Sequence, residues 1–190
     1  VTGMLGGRIR VLESTRGDGV WKMLEAGSWD KGGWNPQLFE ACLSRSQTLG
    51  QAREGFGHRY PDAADVKKLV KTPVAYRFEY KDGLRATMLL MNGLVNDFNC
   101  AVKLKGQQNP WSTLFYLPPQ TNVVYSAALM NRAEEMFLTG KAPYPIERTL
   151  LTSGLVSAGM ESLHKDGKKL DTPHLAVAYQ APQESQFYRS

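Results

Sequence analysis

The chain has 190 residues, 42% of them hydrophobic and 22% charged, with a formal net charge of +5. That length supports one sizeable core, and the balance is that of a globular domain rather than a disordered chain. No apolar run approaches the roughly 20 residues needed to cross a bilayer, and no basic start followed by an apolar segment marks a signal peptide.

Val1 stands where a Met would, so a processed chain or a fragment is expected. Residues 7–14, GRIRVLES, set Ile9 and Val11, with Leu12 beside them, against Arg8, Arg10 and Glu13, the alternation of a half-buried strand. Gly17 and Asp18 break it, and Asp18 is placed to cap a short helix through Trp21 and Leu24 that Gly27 ends. GSWDKGGW is then a loop holding three glycines and two tryptophans. Asn35 and Pro36 form the expected opening pair of a second helix, with Leu38, Phe39, Cys42 and Leu43 on one face. Residues 47–71 are polar and glycine-spotted, a surface excursion closing in one or two helical turns at DAADVKKLV.

The centre reads as β. VAYRFEY places Val74, Tyr76, Phe78 and Tyr80 on one face, and the Asp-Gly of KDG turns the chain into LRATMLLMN. After Gly93, Phe98, Cys100, Val102 and Leu104 alternate with Asp97, Asn99 and Lys103, and STLFYLPP supplies another strand that two prolines end. Successive antiparallel strands of this kind predict a meander with one face against helices. In the last third, Val123, Ala127, Met130, Ala133 and Phe137 step along one helical face that Gly140 stops. Pro145 opens a long helix to residue 165, with Glu147 at its positive end and Ile146, Leu150, Leu151, Leu155, Met160 and Leu163 as apolar members. Ser153, Gly154, Ser157, Ala158 and Gly159 keep its middle thin, which predicts close packing against a sheet or helix. Gly167 terminates it, and HLAVAY is expected to add a final strand.

Cys42 and Cys100 have no metal-ligand spacing and read as buried small hydrophobes, with a reducing cytoplasm as the default compartment. The lysine groups at 67, 68 and 71, at 103 and 105, and at 165, 168 and 169 fall at element ends and turns. They do not make the one-sided basic face of a nucleic-acid binder. The glycines of TGMLGGRI are wrongly spaced for a dinucleotide loop and precede their strand, so this chain carries no cofactor-binding residues. GFGHRYPD is not a phosphate loop, since no lysine-serine pair follows it. His58, His164 and His174 are too scattered for a metal motif, and TSGLVSAG is no nucleophile elbow, so no catalytic and no metal residues are assigned. His58, in a polar loop with Arg59, Tyr60 and Asp62, is the histidine without a structural role, and with distant carboxylates it would suit a metal-dependent hydrolase or isomerase. Trp21, Trp29 and Trp34, beside Asp18, Lys22, Asp30 and Lys31, suit either a sugar-like or planar ligand or the edge of a core. Asp97 and Asn99 on one sheet face, with Asn96 opposite, line a pocket or face water.

FLTGKAPYPIERTLLTSGLVSAGMESLHKDGKKLDTP resembles the end of Gfo/Idh/MocA-type oxidoreductases, and EYKDGLRATML looks like a strand-turn-strand of that family's C-terminal domain. STLFYLPP, PYPIERTLLTSG and TPHL are similar to the rear portion of an uncharacterised branch of those proteins. The resemblance covers most of residues 7–179 and implies a single domain over 1–190: α+β, with an open, mostly antiparallel sheet and helices packed on one face. It implies NAD(P) in a preceding Rossmann domain of a full-length parent, with this chain supplying substrate contacts and an oligomer interface. The family's glycine fingerprint, its Glu-Lys-Pro segment and its Asp-x-x-x-His pattern have no counterpart here. The positional equivalent of the last is the segment of Asp18, Trp21 and Lys22.

The expected function is therefore the substrate-binding and oligomerisation domain of an NAD(P)-dependent oxidoreductase acting on a sugar or polyol-like substrate. Asp18, Trp21, Lys22, Trp34, His58, Asn96 and Asp97 are its candidate substrate-binding residues. The alternative is a non-catalytic, self-associating module without cofactor. A homo-oligomer through the open sheet face is expected, with neither nucleic acid nor membrane as partner.

Overall fold

The computed structural model describes residues 8–48, 63–115 and 122–180. In chain order they form β1 (Ile9–Arg16), α1 (Asp18–Ala26), α2 (Pro36–Leu43), α3 (Ala63–Leu69), β2 (Val74–Tyr80), β3 (Arg85–Leu90), β4 (Phe98–Val102), β5 (Trp111–Phe115), α4 (Asn122–Thr139), α5 (Ile146–His164) and the short β6 (Leu170–Asp171). A 3-10 turn, Pro173–Leu175, follows β6. The architecture is α+β, with an open four-stranded antiparallel sheet in the order β3-β2-β1-β6 and a separate β4–β5 hairpin.

Three expected boundaries hold where a backbone device sets them. Asn35 Oδ1 accepts from the N–H groups of Gln37 (2.9 Å) and Leu38 (3.4 Å), with Pro36 following at the first helical position. Gly83, at φ 88°, turns the β2–β3 hairpin, and Tyr80 N–H closes it on the Leu84 carbonyl at 2.8 Å. Gly140 stops α4, donating to the Met136 carbonyl at 2.9 Å.

Three expectations are corrected. Asp18 caps nothing: Gly17 takes φ 61° and the N-cap place, so Asp18 is already inside the first turn. The meander is interrupted because Met91 (5% exposed) and Leu94 (2%) draw the connection after β3 into a core, carrying β4 out of the main sheet. HLAVAY is not a strand. Thr172 N–H bonds the Arg10 carbonyl at 3.1 Å, Pro173 has no N–H to extend the ladder, and the chain turns into the 3-10 segment that buries Leu175.

Alternation along β1 and β2 divides the sheet into two faces. Ile9, Leu12, Phe78 and Tyr80 pack with Leu151, Ala158 and Leu175, so α5 lies on that face as its thin middle predicted. The other face carries Ala75 into a second core with Val20, Met23, Trp34, Leu43 and Val66 from α1, the following loop, α2 and α3. The close approach of α5 is measurable at its glycines. A Cβ on Gly154 would sit 2.2 Å from Leu175 Cδ2, and one on Gly159 would sit 2.9 Å from the Tyr76 ring.

Two fully buried serines fix the register of α5 on β1. Ser14 N–H donates to Ser162 Oγ (2.9 Å), Ser14 Oγ donates to the Gly159 carbonyl (3.0 Å), and Ser162 Oγ donates to the Lys168 carbonyl (2.8 Å). Replacing Ser162 by Ala strands a buried N–H and a carbonyl. Ser162→Ala is expected to lower the unfolding free energy by about 2–3 kcal/mol in chemical denaturation. An unchanged midpoint would mean water replaces the hydroxyl.

Candidate functional site

The candidate site is an open cleft of about 300 Å³ on the sheet face away from α5, lined by Glu13, Trp29, Asp30, Arg77, Glu79 and Arg85, with Val11, Gly32 and Lys169 at its margins. Strand register builds its floor. Glu13 pairs directly across from Arg77, and Glu79 from Arg85, so opposite charges alternate on one face of β1, β2 and β3.

The loop after α1 forms the wall. It is seated by Gly33, whose N–H bonds the Ser28 carbonyl at 2.8 Å and whose Cα lies so near α1 that a Cβ would be 2.2 Å from the Met23 carbonyl oxygen. That backbone contact holds Trp29 over the sheet. The Arg77 guanidinium lies 4.0 Å from the Trp29 ring centroid, donates to the Trp29 carbonyl (2.6 Å) and pairs with Glu13 (2.6 Å). Burial lowers the Arg77 pKa from its ordinary value, and the Glu13 charge opposes that shift. Its Nε is buried without a hydrogen-bond partner, a cost the other two contacts offset. Arg85 pairs with Asp30 at 2.7 Å and lies 3.8 Å from Glu79, which Arg10 also engages.

The residues singled out from sequence go elsewhere. Asp18 and Lys22 are exposed on α1. Trp21 packs half-buried against the first core, and Trp34 is buried in it, edge-on to Phe39 at 5.9 Å. His58 lies outside the described residues. Asn96 and Asp97 are brought together, but around the chain itself. The Asp97 carboxylate accepts from Ser46 Oγ (3.0 Å), Gln47 N–H (2.8 Å), Thr48 N–H (3.2 Å) and the Asn99 amide (2.5 Å), while Asn96 N–H donates to Thr48 Oγ1 (2.8 Å). Of the tryptophan loop, Trp29 and Asp30 reach the cleft. Glu13, Arg77, Glu79 and Arg85 were missed because charges on the polar face of a strand read as a solvated face, and Lys169 because it stands at the end of a charged turn.

Burial pushes the Cys42 thiol up to about 11, with the neighbouring Cys100 adding to the rise, and burial also raises Cys100. Neither is poised as a nucleophile at neutral pH. Among the described residues, no three His, Cys, Asp or Glu side chains converge as a metal-binding group, and no helix is long and apolar enough to cross a membrane. Every strand pairing among them is antiparallel, so the strand-turn-helix crossover that cradles a pyrophosphate is not formed.

Asp97 generates a pH prediction. Burial raises its carboxyl, but hydrogen bonds from Gln47, Asn99, Ser46 and Thr48 outweigh that and hold it below the usual carboxylate value. Its contribution is full above about pH 4 and is lost as the pH falls through the depressed folded-state value. Asp97→Asn should therefore cost about 1–2 kcal/mol at pH 7, and the gap to wild type should narrow toward pH 3 in urea titrations. A gap independent of pH would remove the ionised carboxylate from the account.

No family model, curated protein or solved structure matches this chain. What the cleft does chemically is read from its own side chains.

Proposed function

We propose that this chain is the substrate-binding domain of an oxidoreductase-like protein, and that its cleft takes a sugar or polyol. The observation that carries the reading is the convergence of Trp29 with Glu13, Asp30, Glu79 and Arg85 around about 300 Å³. Polyhydroxylated ligands combine C–H surfaces, which rest on an aromatic ring, with hydroxyls that donate to carboxylates and accept from guanidinium groups. A volume of this size lies at the small end of ligand sites and suits a monosaccharide-sized molecule. The binding groups are braced before a ligand arrives: the ion pairs hold each side chain in place, so little rotamer freedom remains to be lost on binding. NAD(P) and any redox chemistry belong, in this reading, to a domain outside these residues. Titration of tryptophan fluorescence with monosaccharides and their reduced polyols should give saturable binding. Trp29→Ala should weaken it about tenfold, or ~1.4 kcal/mol, with the circular dichroism unchanged. Absence of saturable binding to any of them sinks the reading.

A second reading, self-association without catalysis, is favoured by a separate observation. Leu129, Met130, Met136 and Phe137 form a helical stripe on α4 that is 39–80% exposed, and Ile146, Leu150, Val156 and Met160 on α5 are 57–71% exposed. Large apolar side chains repeated at helical spacing mark an interface more often than free surface. Apolar side chains are exposed on the strands as well, Met88 (49%) and Leu90 (41%) on the edge strand β3 and Phe98 (61%) and Trp111 (57%) on the β4–β5 hairpin. In sedimentation equilibrium, this reading expects a dimer or larger species at micromolar concentration that Phe137→Glu or Leu150→Glu dissociates. A wild-type chain that stays monomeric counts decisively against it.

A further inference from the structure

We infer that α4 is a docking arm: in a dimer, the apolar stripe of α4 from each copy lies on a shelf between α5 and the edge strand β3 of the other copy. This rests on the self-association reading and narrows it to one pair of surfaces.

The shelf follows from strand register. Tyr76 stands across from Met88 and Val74 from Leu90, so Met88 and Leu90 are on the face of the sheet that α5 occupies. α5 lies along β1, and a helix about 10 Å across spans only about two strands spaced ~4.8 Å apart. One flank of α5 is closed, where Gly154 meets Leu175. On the other flank Gly159 meets Tyr76, and helical spacing puts Val156 and Met160 on that same side. Met88 is 49% exposed, Leu90 41%, Val156 69% and Met160 57%. With the Tyr76 ring between them they form an apolar shelf on which no other described helix packs.

α4 is the complementary half. It runs 18 residues, yet no other described strand or helix packs closely against it. A helix of that length is marginal in water unless tertiary packing buries an apolar face. Leu129, Met130, Met136 and Phe137 gather around Ala133 within about a third of the helix circumference, and all four are exposed.

The occupant that fits both halves is a second copy of this chain. Shelf and arm belong to the same chain, so two copies related by a two-fold axis satisfy both at once and leave neither open. The eight side chains expose on the order of 800 Å² of apolar surface per chain, the amount a stable interface buries on each partner. Pro143 and Pro145 each fix a backbone angle in the link from α4 to α5, which restrains the arm from folding back onto its own shelf.

The test uses the full chain in sedimentation equilibrium. Wild type is expected to dimerise at micromolar concentration. Met88→Glu and Phe137→Glu should each raise the dissociation constant at least about tenfold, with the circular dichroism unchanged. An equimolar mixture of the two variants should recover association, because the intact arm of the Met88→Glu chain meets the intact shelf of the Phe137→Glu chain. A monomeric wild type overturns the self-association reading and this inference with it. A dimer that Met88→Glu leaves intact overturns the inference alone, and so does a dimer that only Leu150→Glu dissociates. Mixed variants that stay apart overturn the exchange of arms and put α4 against α4 instead.

Discussion

The hydroxyl of Ser162, buried between α5 and β1, is the contact on which the arrangement of the molecule depends. It accepts the Ser14 N–H and donates to the Lys168 carbonyl, so one side chain joins a helix, the central strand and the turn that leads to β6. Such a contact is possible only because Gly159 brings the helix close to Tyr76, and because Gly167 passes where a Cβ would lie 2.7 Å from the Ser14 carbonyl oxygen. Gly167 also takes φ 82°, a conformation costly for any residue with a side chain. The small residues of α5 are therefore matched to hydrogen bonds that larger ones would hold apart.

This clamp reaches the cleft on the other side of the sheet. β1 presents Ser14 to α5 and Glu13 to Arg77, so its registry with the helix also sets where the Glu13 carboxylate stands. The same turn that satisfies Ser162 leads to Lys169. Stability and the candidate site thus share a strand, and a shift of one residue in β1 would exchange the two faces. The Trp29 wall is anchored independently, through Gly33 against the end of α1, and meets the sheet through Arg77 and through the Asp30–Arg85 pair. Arg77 and Arg85 are thus the joints between loop and sheet. The cost of the unpaired Nε of Arg77 is offset by the guanidinium's contacts with Glu13, the Trp29 carbonyl and the indole ring 4.0 Å away.

Two surfaces then have different chemistry. The cleft is charged and small, while the outer stripes of α4 and α5 are apolar and extended along helices. On α5 the division is visible within one helix: Leu151, Ala158 and Ser162 are buried, whereas Ile146, Leu150 and Met160 point away. Apolar residues on two opposite stripes explain why the helix as a whole has no single polar face. They also explain why its sequence alone does not say which stripe meets the sheet.

Local rules settled much of the architecture from sequence. Asn35-Pro36 opened a helix, Asp82-Gly83 closed a hairpin, Gly140 ended α4, and the thin middle of α5 foretold its close packing, because each depends on the conformational freedom of a few adjacent residues. The α+β class followed from the change of period between the centre and the tail. The failures were non-local. Whether β4 joins the main sheet depended on Met91 and Leu94 finding a core built from α1, α2 and α3. Of the aromatic loop, sequence marked Trp29 and Asp30 among their neighbours but could not separate them from the buried Trp34. Glu13, Arg77, Glu79, Arg85 and Lys169 come from four segments, and each looks like an ordinary solvated charge in its own stretch of chain. Only strand pairing brings them together, since register across a sheet is fixed by burial of the opposite face and leaves no trace in the spacing of the charges themselves.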